Sequence, residues 1–252
     1  MVGSGGAVPV SVAVHGNLVY VLNAEDGGSV QGYAVALGRL VPLPGSDRLL
    51  GLDPTATPQY TNTPGQVAFS PDGSQLIVTT KANGNDIDVF RVGPWGYLSA
   101  SPIQNPQPGA VPFAVSFDPA GHLVVAEASG AVATFVLDHD GTVTQLSTVP
   151  TGESATCWIA PAGGYFYASN AGSANVSGVQ VAGGGQLTLL GTTGTDPGTV
   201  DASASSDGQF LYVQTGANGI VDEFHVNGNG TLTEVGSVTV PGAAGGEGIV
   251  AF

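Results

Sequence analysis

Val67-Ala68-Phe69-Ser70-Pro71-Asp72-Gly73-Ser74-Gln75-Leu76-Ile77-Val78 reads as a β-hairpin. Two short apolar runs flank Ser-Pro-Asp-Gly. Pro presets one turn dihedral, Asp bonds its own backbone, and Gly accepts positive φ. The same phrase recurs on both sides. Upstream, Val10–Val14 and Leu18–Leu22 are joined through His15-Gly16. Downstream, Ala114–Phe117 and Leu123–Val125 flank Asp118-Pro119-Ala120-Gly121. Cys157–Ile159 and Tyr165–Tyr167 flank Pro161-Ala162-Gly163-Gly164, and Ala202–Ala204 and Phe210–Val213 flank Ser206-Asp207-Gly208.

Each hairpin is followed by an alternating third run, such as Ile87-Asp88-Val89-Phe90 or Ile220-Val221-Asp222-Glu223-Phe224, and then by a short fourth one. Near-continuous second strands predict burial on both faces, and alternating third strands predict half-exposure. Four-strand units of about 40–50 residues are the signature of propeller blades. The fold predicted is all-β, a β-propeller of five four-stranded antiparallel blades in one domain. The blades fall at 9–63, 64–110, 111–153, 154–198 and 199–244, with 245–252 as an extra opening strand. The irregular stretch Gly51–Thr63 is expected to be an insertion between blades one and two. The N-terminal end already has its own opening strand, which leaves two readings. The chain is the C-terminal part of a seven-bladed propeller, which is favoured, or five blades close in another way.

Charged residues make up only 9% of the chain, yet four basic residues face 19 acidic ones, for a net charge of −15. Nucleic acid is excluded as a partner, since phosphate neutralisation needs clustered Lys and Arg. An anionic membrane surface is excluded on the same ground. Anionic substrates meet an unfavourable mean field. The one cysteine, Cys157, precludes an internal disulfide and reads as a small buried strand residue. No run is long and apolar enough to span a bilayer, and no secretory signal opens the sequence. Acidity and scarcity of Lys suggest a secreted or extracytoplasmic bacterial protein. Trp95 and Trp158 read as packing residues. Oligomeric state is not legible.

In these motifs the chain resembles the lactonase-type β-propellers, which include bacterial 6-phosphogluconolactonase and fungal 3-carboxymuconate cyclase. The resemblance is carried by Leu18-Val19-Tyr20-Val21-Leu22-Asn23, by the Val67–Gly73 hairpin and by Pro112-Phe113-Ala114-Val115. Leu123-Val124-Val125-Ala126-Glu127 and Tyr167-Ala168-Ser169-Asn170 extend it along about five of the family's seven blades. It implies a site in a central funnel. A family His after a Pro has no counterpart in Thr63-Pro64-Gly65-Gln66, a family Arg aligns with Asp86, and another aligns with Ala171. The family's acidic position is matched by Glu127. These departures weigh against phosphorylated or tricarboxylate substrates.

Strand direction gathers the starts of opening strands and the ends of second strands at one face. Concave channels with convergent polar groups are where ligands bind. Glu127, at the upper end of an apolar run, is the candidate general base toward water. Lys81, the sole lysine, and Asn170 are candidates to meet a developing oxyanion. Asn23, Glu25, Gln66, Asp201 and Thr215 are candidate ligand-binding residues for a small molecule in the funnel. No cofactor is required. Asn23, Glu127, Asn170 and Asp201 form an alternative oxygen set of the kind Ca²⁺ takes. Asp138-His139-Asp140-Gly141 lacks the further acids of a calcium loop and reads as a hairpin. Two functions remain open: hydrolase or cyclase action on a small lactone or related carbonyl compound, and a non-catalytic propeller binding a small molecule or protein.

Overall fold

Short apolar runs separated by Gly-containing turns become strands throughout the computed structural model, which describes residues 2–252. Blade one contains β1 (Pro9–His15), β2 (Leu18–Asn23), β3 (Ser29–Ala36) and β4 (Arg39–Pro42), with the two-residue β5 (Arg48–Leu49) also pairing with β3. The insertion follows and carries α1 (Gln59–Asn62). Blade two contains β6 (Val67–Phe69), β7 (Gln75–Thr79), β8 (Asp86–Arg91) and β9 (Ile103–Pro106), with α2 (Lys81–Gly84) between β7 and β8. Blade three runs β10 (Pro112–Phe117), β11 (Leu123–Glu127), β12 (Ala131–Leu137) and β13 (Val143–Pro150). Blade four runs β14 (Thr156–Ala162), β15 (Tyr165–Asn170), β16 (Asn175–Val181) and β17 (Leu187–Gly194). Blade five runs β18 (Thr199–Ala204), β19 (Phe210–Thr215), β20 (Ile220–Val226) and β21 (Leu232–Thr239). The fold is the expected all-β propeller with five four-stranded antiparallel blades. Among the described residues no helix is long and apolar enough to cross a membrane.

The chain divides into two compact units. One comprises residues 1–121 and 136–144, and the other 122–135 and 145–252. In the first, Tyr20, Leu22 and Val30 of blade one pack on Val67, Leu76, Val78 and Phe90 of blade two. In the second, Ala160, Tyr167 and Val176 of blade four pack on Ala202, Leu211, Val213 and Phe224 of blade five. One device recurs in both. Tyr20 lies over its cross-strand partner Gly32, where an added Cβ would come within 2.6 Å of the ring, and its hydroxyl donates to the Gly96 carbonyl at 2.6 Å. Tyr167 lies likewise opposite Gly178 and donates to the Gly230 carbonyl at 3.0 Å. A buried tyrosine needs such a partner, and a missing side chain opposite provides the room.

Opening strands are stitched by side chains that accept a neighbour's backbone N–H. Ser11 Oγ accepts from Val67 at 3.2 Å, and Gln66 Oε1 accepts from Val115 at 2.9 Å. Asp201 and Ser203 of β18 accept from Ile249 and Ala251 in the same manner, at 3.4 and 3.1 Å. Residues 245–252, expected as an extra opening strand, form no strand: only Ile249 and Ala251 are bonded to β18, through side chains rather than a backbone ladder.

Two further expectations are corrected. The alternating run in β8 is not half-exposed: Ile87, Asp88, Val89 and Phe90 are all buried, because the third strand is covered on both faces. Trp95 is not a packing residue. It is 86% exposed at a turn apex with φ of +66°. Cys157 is buried in β14, as expected.

Asn105 of β9 shows how an outer strand is anchored. Its amide donates to the Ile87 and Gly141 carbonyls, each at 3.0 Å, and its carbonyl accepts from Val143 at 2.9 Å. Asn105→Ala leaves these buried groups without partners. The expected loss is about 2–3 kcal/mol, read as a lower urea midpoint at unchanged slope.

Candidate functional site

β2, β11, β15 and β19 end on Asn23, Glu127, Asn170 and Thr215. A strand end that turns into a hairpin must satisfy backbone groups, and polar residues serve that need. Asn170 is fully buried and committed to side-chain partners. Its Oδ1 accepts from Thr156 Oγ1 at 2.7 Å, and its amide donates to Asn175 Oδ1 and Ser177 Oγ at 2.7 and 2.8 Å. Both amide protons are therefore used, which leaves none for the oxyanion that the sequence reading gave it. Thr215 donates to the Ile220 carbonyl at 3.0 Å.

Asn23 repeats the position with one difference. Its amide donates to the Ser4 carbonyl and Ser29 Oγ, but its buried Oδ1 has no hydrogen-bond partner. The cause is local: opposite Asn170 stands Thr156, with a hydroxyl, whereas opposite Asn23 stands Pro9, without one.

Glu127 is the carboxylate of this set. It ends the wholly buried strand Leu123–Glu127 and is itself only 7% exposed. Burial disfavours the charged form and pushes its pKa from 4.5 up to about 7. A polar path leads away from its turn. The Gly130 N–H bonds the Glu127 carbonyl at 2.9 Å, Thr151 Oγ1 donates to the Gly130 carbonyl at 3.0 Å, and Thr151 meets Thr156, the partner of Asn170, at 3.1 Å. The second unit thus links the strand ends of Glu127 and Asn170 through adjoining blades. Asp201 accepts from Ala202 as well as Ile249, and burial raises its pKa. In the alternative oxygen set, Asn170 and Asp201 already carry these bonds.

In the first unit, Lys81 proves to be a buried structural cation. It is 5% exposed, in a left-handed conformation with φ of +52°. Its Nζ donates to the Tyr60 carbonyl at 2.6 Å and Thr63 Oγ1 at 3.0 Å, and sits 4.7 Å from the centre of the Phe113 ring. These contacts hold the insertion. Lys81→Met is expected to free residues 51–63, seen as limited-proteolysis cleavage there at least tenfold faster than in the wild type, with the blades intact. Gln66 is likewise a stitch: it accepts from Val115 N and donates to the Val115 carbonyl at 3.1 Å. Glu25 borders a cavity of about 240 Å³ that is also lined by residues of the insertion.

Sequence reasoning missed two buried acids in third strands. Asp88 is 1% exposed, with Oδ1 unpartnered, and burial together with nearby Asp86 raises its pKa to about 7. Asp222 takes the matching place in β20, where burial raises its pKa to about 6 while Asp196 N–H donates to its Oδ2 at 2.8 Å. An acid alternating with Ile, Val and Phe in a third strand is the signal that would have found both.

A family model described as lactonase, seven-bladed β-propeller, matches residues 1–246. No curated protein matches the chain. Among solved structures, a Bacteroides uniformis protein provisionally described as a 6-phosphogluconolactonase is 23% identical, with a TM-score of 0.80 over 94% of this chain and 72% of its own. The periplasmic gluconolactonase of Pseudomonas aeruginosa is 20% identical, with a TM-score of 0.74 over 92% and 70%. Virginiamycin B lyase from Staphylococcus aureus is 15% identical, with a TM-score of 0.64 over 94% and 72%. At these identities the likeness is one of fold, and the fold carries more than one chemistry.

Proposed function

Since the chain belongs to the lactonase family of seven-bladed β-propellers, we propose that it hydrolyses small uncharged lactones with Glu127 as general base. The observation that carries the reading is a carboxylate at the C-terminal end of a buried strand, 7% exposed, whose pKa burial pushes up to about 7. A base whose pKa lies near the working pH combines the right protonation state with proton affinity. The Glu127 carboxylate takes a proton from water as its oxygen attacks the lactone carbonyl carbon. The tetrahedral intermediate collapses with cleavage of the ring acyl–oxygen bond. The leaving alkoxide recovers the proton from Glu127, and a hydroxy acid departs. Asn170 acts as a positioning residue for its strand end, and Lys81 as an anchor of the insertion.

Net charge of −15 and the loss of the family's His and Arg positions support uncharged substrates over phosphorylated ones. Acidity, scarcity of Lys and the periplasmic location of one structural neighbour support a place outside the cytoplasm. The commitment of Asn170 and Lys81 to structural bonds favours a second reading, a propeller that binds a small molecule without turning it over. Acid release by pH-stat across a lactone panel decides between them. The hydrolase reading expects saturable hydrolysis of uncharged lactones and slower turnover of phosphorylated ones. Saturable binding of a lactone with no acid release establishes the second.

A further inference from the structure

The insertion between blades one and two belongs to no strand, yet several side-chain hydrogen bonds tie it down. Lys81 anchors it from below at Tyr60 and Thr63. Asn83 accepts from Asp53 N–H at 3.1 Å and donates to the Asp53 and Asn62 carbonyls, each at 2.8 Å. Between the insertion and the β2–β3 turn this leaves a cavity of about 240 Å³. That is below the range for drug-sized ligands, which sets the ligand at the size of a single sugar ring or less.

The walls differ in kind. Leu52 and Pro54 provide an apolar side. Glu25, Asp26, Gln59 and Asn62 provide planar carboxylate and amide groups. Two amide donors are already engaged by the protein: Gln59 Nε2 meets Glu25 Oε1 at 3.3 Å, and Asn62 Nδ2 meets the Pro58 carbonyl at 2.9 Å. With these donors engaged, the charged side chains of the lining, Glu25, Asp26 and Asp53, bring chiefly acceptors, beside Leu52 and Pro54. Ionised carboxylates accept only, so the complementary ligand is rich in donors. No lysine or arginine lines the cavity, so a carboxylate or phosphate has no counter-charge there.

We propose that this cavity is a binding site for an uncharged polyhydroxylated molecule, its hydroxyls donating to Glu25 and Asp26 and its C–H face resting on Leu52 and Pro54. The proposal is independent of Glu127, and its test reads binding rather than turnover. Saturation-transfer NMR and calorimetry with D-glucose and D-sorbitol on the full chain are expected to show saturable millimolar binding. D-gluconate should bind at least tenfold more weakly. Glu25→Ala, at an exposed position, should weaken D-glucose at least tenfold with an unchanged melting temperature. Asp26→Asn keeps a residue suited to the left-handed turn and should weaken it severalfold. Absence of binding by both neutral probes would overturn the proposal. So would a preference for gluconate or for Ca²⁺, or undiminished binding by both variants.

Discussion

Glu127→Gln should lower kcat/KM for lactone hydrolysis by about 10²–10⁴-fold at pH 8, the range a positioned general base contributes. Gln preserves shape and removes only the proton acceptor, so KM should change far less than kcat. Stability moves in the opposite direction. The folded pKa lies above the ordinary 4.5, at about 7, so the group favours the fold at low pH and that contribution is lost as pH rises through 7. The amide carries no such pH-dependent burden. The variant should therefore unfold at higher urea than the wild type at pH 8, by on the order of 2–3 kcal/mol. Lost activity in a more stable protein separates a catalytic role from a structural one. Equal activity of the two proteins would remove Glu127 from the chemistry.

Asp88→Asn should be the most stabilising single change, and its effect should depend on pH. In the wild type a carboxyl 1% exposed, with one oxygen unpartnered, must ionise between packed blades as pH rises from 3.8 through 7. The folded state binds more protons than the unfolded state across that window, so wild-type stability falls with rising pH. The amide should gain on the order of 3 kcal/mol at pH 8 and nothing near pH 4, once its own buried N–H groups are allowed for. Urea midpoints at the two pH values check this. A constant difference between the proteins would show that Asp88 ionises normally. Asp222, raised by burial in the matching strand, adds to the same slope.

The repeat was legible because its physics is local. Turn residues such as Asp72-Gly73 and continuous runs such as Leu123–Ala126 declare strand ends and double burial without reference to the rest of the chain. The third strand β8 misled for the opposite reason, whereas β20 alternates buried and half-buried residues as expected. Alternation in Ile87-Asp88-Val89-Phe90 marks a wet face in an isolated sheet, but in β8 both faces are covered. Glu127 was legible as an acid closing an apolar run. Lys81 and Asn170 stood out in the sequence only as polar residues near the ends of second strands; their partners, the Tyr60 carbonyl and Thr156, lie in other elements and no spacing announces them. The insertion could be recognised only as irregular, because its cavity depends on how Asn83 and Lys81 fold it back.

The pH dependence of kcat/KM for an uncharged lactone on the unmodified protein tests the account most directly, since it reports the essential base in the free enzyme. The account predicts a rate that climbs with a midpoint near 7 and then levels. A midpoint in the ordinary carboxylate range, or no protein-dependent hydrolysis at any pH, would contradict it.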